Sequence, residues 1–348
     1  MAIGKNKKNR VYPKQIKTGN PLNPTIVDYP EEISSILNEH FTNIAKDLAE
    51  KLEKTNLKHT EFMGNKNEAT MFLKFIELHE ILEEIAKICI KKARGYDEIA
   101  PKIVKWAAEL LAPILLTLFN KCIELGYYPD GMKVGEVAPV FKTGEQNSKN
   151  NYRPITVLTQ FNQLFERLLS KRFTNFFEKF EIITKKQFGF LKKHCTEHAI
   201  LDLKEYVLGN LDDKKGMAIL FLDLKKAFDT VDHSILLQKL HHYGVRGNAY
   251  RLLKSYLSGR MQRTNIKNSL SELAFVLWGV PQGSVLGPLL FLIYINDLPN
   301  ASELTSWLFA DDTALAMSSD NFQNLQLKFN QEVKKVHAWL LANRLSVH

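Results

Sequence analysis

Two adjacent aspartates, Asp311 and Asp312, lie in the stretch S-W-L-F-A-D-D-T-A-L-A-M-S-S from Ser306 to Ser319, between the apolar run Trp307 to Phe309 and the β-compatible run Thr313 to Met317. Aspartate is a poor strand former and costly to bury alone. The pattern therefore predicts a hairpin whose tight turn carries both carboxylates. Held about 4 Å apart, two carboxylates repel by roughly 4 kcal/mol at an effective dielectric of about 20, so they call for a cation, a shared proton or open water. For an isolated Asp-Asp pair a solvated turn would be the better explanation. A third carboxylate changes the balance. Met217 to Leu222 is a continuous apolar run suited to a buried strand, and it delivers Asp223 at its carboxyl end. Three carboxylates converging on one sheet edge suit two Mg2+ ions about 3.5 to 4 Å apart, the arrangement that in-line phosphoryl transfer needs at its attacking and leaving oxygens.

The rest of the chain must position that edge and supply its partner. The sequence has 348 residues, is 45% hydrophobic and carries a formal charge of +9. It can build a sizeable core, and its charge points to a polyanionic partner, nucleic acid first and an anionic membrane surface second. Cys89, Cys122 and Cys195 stand singly, which argues against a zinc site or a disulfide framework and for reduced structural thiols. No apolar run reaches the length of a membrane span, and the first twenty residues have no signal-peptide core.

Residues 1–27 read as a basic arm without regular structure, and residues 28–92 as a helical extension. Pro30 with Glu31 and Glu32 opens a helix whose apolar stripe runs from Ile33 to Leu52. A second helix is expected from Glu77 to Ala93, a third from Pro101, and a buried one from Leu110 to Phe119 interrupted at Pro113. Val137 to Phe141 favours a strand, Phe161 to Phe180 a basic helix, and Leu224 to Leu240 a helix closing at Gly244. Asp229 and Asp232 read as helix caps, and Asn296 with Asp297 as helix termination. Basic residues fall densely in one half of the chain, which predicts a nucleic-acid groove using Arg167, Lys171, Arg172, Arg260 and Arg263.

These stretches resemble a known family. F-A-D-D (Phe309 to Asp312), F-L-D-L-K-K-A-F-D-T-V-D-H (Phe221 to His233) and V-P-Q-G-S-V-L-G-P-L-L-F-L-I-Y-I-N-D-L-P (Val280 to Pro299) are similar to the palm motifs of reverse transcriptases. The likeness is closest to the non-LTR retrotransposon type, jockey-like in flavour. K-K-A-R-G-Y-D-E-I (Lys91 to Ile99), N-Y-R-P-I-T-V-L (Asn151 to Leu158), F-E-R-L-L (Phe165 to Leu169) and Q-F-G-F (Gln187 to Phe190) resemble its fingers motifs in the same order. L-N-E-H-F (Leu37 to Phe41) looks like the segment joining endonuclease to polymerase in such elements.

The resemblance implies an α+β right-hand polymerase fold over residues 93–348, with helical fingers to about 215 and a palm from 216 whose antiparallel sheet is backed by helices. It implies RNA-directed DNA synthesis, with an RNA template, a DNA primer and dNTPs as partners and no membrane. The setting would be intracellular, in nucleus and cytoplasm as an RNA-protein particle. Asp223, Asp311 and Asp312 would be the catalytic metal ligands, for two Mg2+ ions or Mn2+ in their place. Phe228 would be the steric gate under the sugar, although its spacing also fits a core phenylalanine. Gln282 and Gly283 would pack against the incoming nucleotide, while Lys142 and Arg153 would clasp its triphosphate. The chain departs from the family pattern at Gly95 to Ile99, Met132, Leu191 and Cys195. The thumb, the lysine-bearing motif after the palm and an upstream endonuclease are expected to be absent. Two rival readings follow: a catalytically incomplete nucleic-acid-binding remnant, and the polymerase domain of a group II intron maturase.

Overall fold

The computed structural model describes residues 12–20 and 23–348, so residues 1–11 and 21–22 of the expected arm lie outside the described residues. The remainder of that arm is a correction. Strand β1 (Ile16–Asn20) pairs antiparallel with β2 (Asn23–Val27) in a hairpin, and Ile16 is fully buried.

Helix α1 (Pro30–Ala49) starts where the proline and the two acids predict. An extended stretch then leads to α2 (Leu78–Ala86), α3 (Pro101–Trp106) and α4 (Ala108–Leu125). Strands β3 (Val134–Phe141) and β4 (Tyr152–Val157) precede α5 (Gln160–Lys179) and α6 (Thr196–Asp212). Strand β5 (Gly216–Asp223) leads to α7 (His233–His242) and α8 (Gly247–Leu257). Short strands β6 (Met261–Ile266), β7 (Ser269–Leu270) and β8 (Ala274–Phe275) are followed by α9 (Leu286–Ile295), the hairpin β9 (Thr305–Phe309) and β10 (Asp312–Ser319), and finally α10 (Phe322–Ala342).

The architecture is α+β. A mixed sheet orders its strands β4-β3-β6-β7 with β8 also on β6, and only its β3–β6 pairing is parallel. A separate antiparallel sheet has the order β5-β10-β9. One core joins α2, α4, α5 and α7 to α10 beneath this second sheet. Within α9 every residue but Pro288 is buried, which is why its sequence shows no polar face. Trp307, Ala314 and Ala316 line the sheet's other side, where Leu203 and Tyr206 of α6 cover them.

The expected N-terminal extension belongs to the body of the fold. Ile33, Leu37 and Phe41 of α1 pack with Val137, Tyr152 and Ile266 of the mixed sheet. Asn38 donates to the Glu272 carbonyl and accepts from Gln262 and Thr264, which fixes α1 across β6. Helix α2 is shorter than its apolar spacing predicts, ending at Ala86. Helix α4 runs unbroken through Pro113, because burial of Ala112, Leu115, Phe119, Cys122 and Ile123 outweighs one lost backbone bond. Leu224 bridges to Val347, residues 225–229 are turns and 230–232 are irregular rather than helical, so α7 begins only after Asp232.

Candidate metal and nucleotide site

The register of the three-stranded sheet brings the predicted carboxylates together. Asp223, the last residue of β5, is the direct cross-strand partner of Asp312, the first residue of β10. Asp312 also pairs with Phe309 across a two-residue turn formed by Ala310 and Asp311. Directly opposed antiparallel residues have Cα atoms about 4.5 to 5.5 Å apart, so side chains from both strands can reach one ion. Ala310 takes φ +57°, a left-handed conformation that a tight hairpin turn demands and that alanine adopts at a cost.

All three aspartates line one cleft of ≈ 610 Å³. Burial pushes the Asp312 carboxyl up, and the neighbouring Asp311 and Asp223 charges push it further, while Lys142 partly offsets them. The only donors these side chains offer are carboxylate oxygens, which suits a hard divalent cation. Among the described residues, no three acidic, histidine or cysteine side chains are already gathered around an ion position. The imidazole of His348 lies 3.9 Å from Asp223, and its backbone N–H donates to the Asp223 carbonyl.

The mixed sheet supplies the opposite charge. Lys142 follows β3 and Arg153 lies on β4 opposite Val140, and both line the same cleft with exposed side chains. Lys226, given no role on sequence grounds, lines it too. Its Nζ donates to the carbonyls of Asn150 and Tyr152 at 3.1 Å each, tying the turn after Asp223 to the start of β4. Lys226 itself takes φ +48°, outside the helical region.

The remaining predicted residues meet at the cleft floor. Phe228 stacks on buried Phe291 with ring centroids 4.7 Å apart, yet one side of it faces the cleft. Gln282 accepts from the Thr156 amide through its backbone oxygen and donates through Nε2 to Asp229 at 2.8 Å. Gly283, at φ +114°, comes so close that an added Cβ would lie 2.7 Å from the Thr156 carbonyl oxygen. Asp229 is thus no helix cap, which corrects the sequence reading. Its second oxygen is buried without a partner among the described residues, and burial pushes the carboxyl up to about 6 against the opposing Gln282 bond and the Lys226 and Arg153 charges. Asp232 is the true cap, accepting from the amides of Ser234 and Ile235. Asn296 ends α9, while Asp297 is fully buried against Lys239 at 2.6 Å.

Each of the five residues expected in a nucleic-acid groove has at least one partner within the fold. Arg167 and Lys171 bind buried Glu84 at 2.9 and 2.8 Å. Arg172 bridges to Glu80 and to the carbonyls of Lys74, Phe75 and Leu168. Arg260 is 2% exposed, with its guanidinium over the Tyr256 ring, and Arg263 pairs with Glu136. Sequence asymmetry located the basic residues but not the acids that meet them from α2 and β3. Glu166 was also missed: its carboxylate accepts from the Val285 and Leu286 amides and so holds the N-terminus of α9 behind Gln282. An acid set beside the apolar residues of F-E-R-L-L was the available signal.

Residues 141–348 match the family described as reverse transcriptase (RNA-dependent DNA polymerase). The chain is 31% identical over 276 residues to the probable RNA-directed DNA polymerase from transposon BS of Drosophila melanogaster, covering 77% of this chain and 30% of that protein. It is 32% identical over 271 residues to the corresponding X-element protein of the same fly, covering 74% and 30%. Against the RNA-directed DNA polymerase from mobile element jockey the identity is 29% over 268 residues, covering 74% and 29%. The chain therefore spans about 30% of the length of these curated relatives. Among the described residues no helix is long and apolar enough to cross a membrane.

Proposed function

Because the chain belongs to the reverse transcriptase family, we propose that it forms the catalytic centre of an RNA-directed DNA polymerase of a non-LTR retrotransposon, extending a DNA primer on an RNA template with dNTPs. The observation that carries the proposal is the register pairing of Asp223 with Asp312, which puts three carboxylates opposite Lys142 and Arg153 in one cleft.

In this reading Asp223, Asp311 and Asp312 hold divalent metal, two Mg2+ ions or Mn2+ in their place. When bound, the metal lowers the pKa of the primer 3'-hydroxyl and neutralises charge on the triphosphate. The protein's own residues do the rest. Lys142 contributes a point charge and Arg153 a planar fork for the triphosphate oxygens, which become the leaving pyrophosphate when the hydroxyl attacks the α-phosphate. Phe228, held in place by its stack on Phe291, would lie under the sugar and reject a ribose 2'-hydroxyl. Gln282 is held by Asp229 and Thr156 where base and sugar would lie. The same proposal includes work inside the cell, in nucleus and cytoplasm as an RNA-protein particle.

The test is primer extension on a poly(rA)·oligo(dT) duplex with the full chain. Mg2+-dependent product is expected from the wild type and none from Asp311→Asn. Extension by Asp311→Asn would overturn the metal-site assignment. Salt-sensitive RNA binding without product from the wild type would replace polymerisation with binding alone.

A further inference from the structure

The turn carrying Asp311 and Asp312 has a structural debt that the hairpin itself does not settle. In a two-residue hairpin the ladder ends at Phe309 and Asp312, so the Ala310 N–H points away from both strands. Ala310 is nevertheless 5% exposed, and a buried amide without a partner would destabilise the turn. Its partner comes from a distant segment: the Gln187 side-chain oxygen accepts the Ala310 N–H at 3.0 Å. The same oxygen accepts the Gly189 N–H at 2.7 Å, so one carboxamide ties two backbone donors together.

Gln187 is 2% exposed, so water cannot replace it. Residues 186–188 run alongside β9, with Phe188 N–H donating to the Leu308 carbonyl and Leu308 N–H to the Lys186 carbonyl. At Gly189 an added Cβ would lie 2.4 Å from the Ala310 nitrogen and 2.9 Å from the Phe309 carbonyl carbon. Only glycine permits that approach. The next residue, Phe190, meets the Phe228 ring edge-on with centroids 6.0 Å apart, so this short segment touches both the carboxylate turn and the cleft floor.

We infer that Gln187 is a positioning residue for the metal site, its side-chain oxygen holding Ala310 in the left-handed conformation that aims Asp311 and Asp312, with Gly189 making the contact sterically possible. The inference rests on the metal-site reading for its consequence, but the clamp itself is a backbone property that can be measured without metal.

Hydrogen exchange of the full chain in EDTA tests the clamp. In Gln187→Leu, which keeps the bulk and removes the acceptor, exchange at the Ala310 amide should accelerate about tenfold or more while the β5–β10 ladder amides keep their protection. Gln187→Glu keeps an acceptor oxygen and should restore protection. Unchanged exchange at Ala310, or loss spread evenly over the sheet, would overturn the inference. The consequence is read by titration with Mn2+, following the free ion by its paramagnetic resonance. Gln187→Leu should weaken binding about tenfold, and Gln187→Glu much less, as expected for outer-shell support of metal ligands. Wild-type affinity in Gln187→Leu would overturn the positioning role. Equal Mn2+ binding by wild type and Asp311→Asn would instead remove the metal site, leaving the exchange result to judge the clamp. Gly189→Ala provides a second variant and should loosen the same amide.

Discussion

Carboxylates meet two opposite fates in this fold. On α2, Glu84 is 3% exposed and surrounded by Lys87, Arg167 and Lys171, all within 2.9 Å. Burial alone would push its carboxyl up, but the bonds and charges of Lys171 and Lys87 hold it below the usual range. At the sheet edge, Asp223, Asp311 and Asp312 crowd one another, and Asp312 is pushed above the usual range. Both clusters look alike as strings of charged residues. They differ in whether the fold completes them. A charge completed within the structure holds elements together, whereas one left facing like charge in a cleft is kept for something that arrives from outside.

The largest test of that contrast is to neutralise the uncompleted cluster. Asp311→Asn or Asp312→Asn should abolish primer extension, a loss of about 1,000-fold or more for ligands of a catalytic metal. In EDTA the same variants should unfold at the same temperature as the wild type or slightly higher, because each removes repulsion and no bond. A clear loss of thermal stability would place these aspartates with Glu84.

Neutralising the completed cluster should do the reverse. Glu84→Gln leaves three cations facing each other beside the core and should cost about 3 kcal/mol in a urea unfolding experiment. If Arg167 and Lys171 formed a nucleic-acid groove, freeing them this way would tighten RNA binding at constant salt. We expect no such gain. The two cation sets can be compared directly as well. Lys142→Ala and Arg153→Ala should each raise the KM for dNTP by about 10- to 100-fold with little change in stability. Arg172→Ala should lower stability and leave the salt dependence of RNA binding unchanged.

How far these fates could be read in advance depended on the range of the interaction. The hairpin, strand β5 and the three aspartates were legible because alternation and apolar runs are local, and register then follows from the turn. Helices α6 and α10 were not anticipated. The former has no fully buried residue, and the latter is anchored by single residues such as Trp339 rather than by an obvious apolar stripe. The partners of Arg167, Lys171 and Arg172 were not legible because Glu80 and Glu84 lie over 80 residues away in sequence. Asp229 failed for a similar reason, its partner Gln282 being 53 residues distant. Lys226 and Gln187 act through backbone carbonyls and amides, which carry no sequence signal at all.

Asp229 gives the smallest and most discriminating test, because it sits at the cleft yet is half completed: one oxygen binds Gln282 and the other has no partner among the described residues. Its carboxyl is pushed from the ordinary 3.8 up to about 6. Between those values the folded protein keeps a proton that the unfolded chain has released, so stability from this group is greatest below about pH 4 and declines as pH rises towards 6. The variant Asp229→Asn keeps an acceptor for Gln282 and has no proton to lose. Relative to it, the wild type should gain about 1 kcal/mol on going from pH 7 to pH 5 in urea unfolding. Asp312 titrates in both proteins and cancels from the difference. An equal stability gap at the two pH values would show that Asp229 ionises as freely as a surface acid. Charge at the cleft would then be uncompleted only at the three aspartates themselves, and the contrast with Glu84 would narrow to the metal ligands.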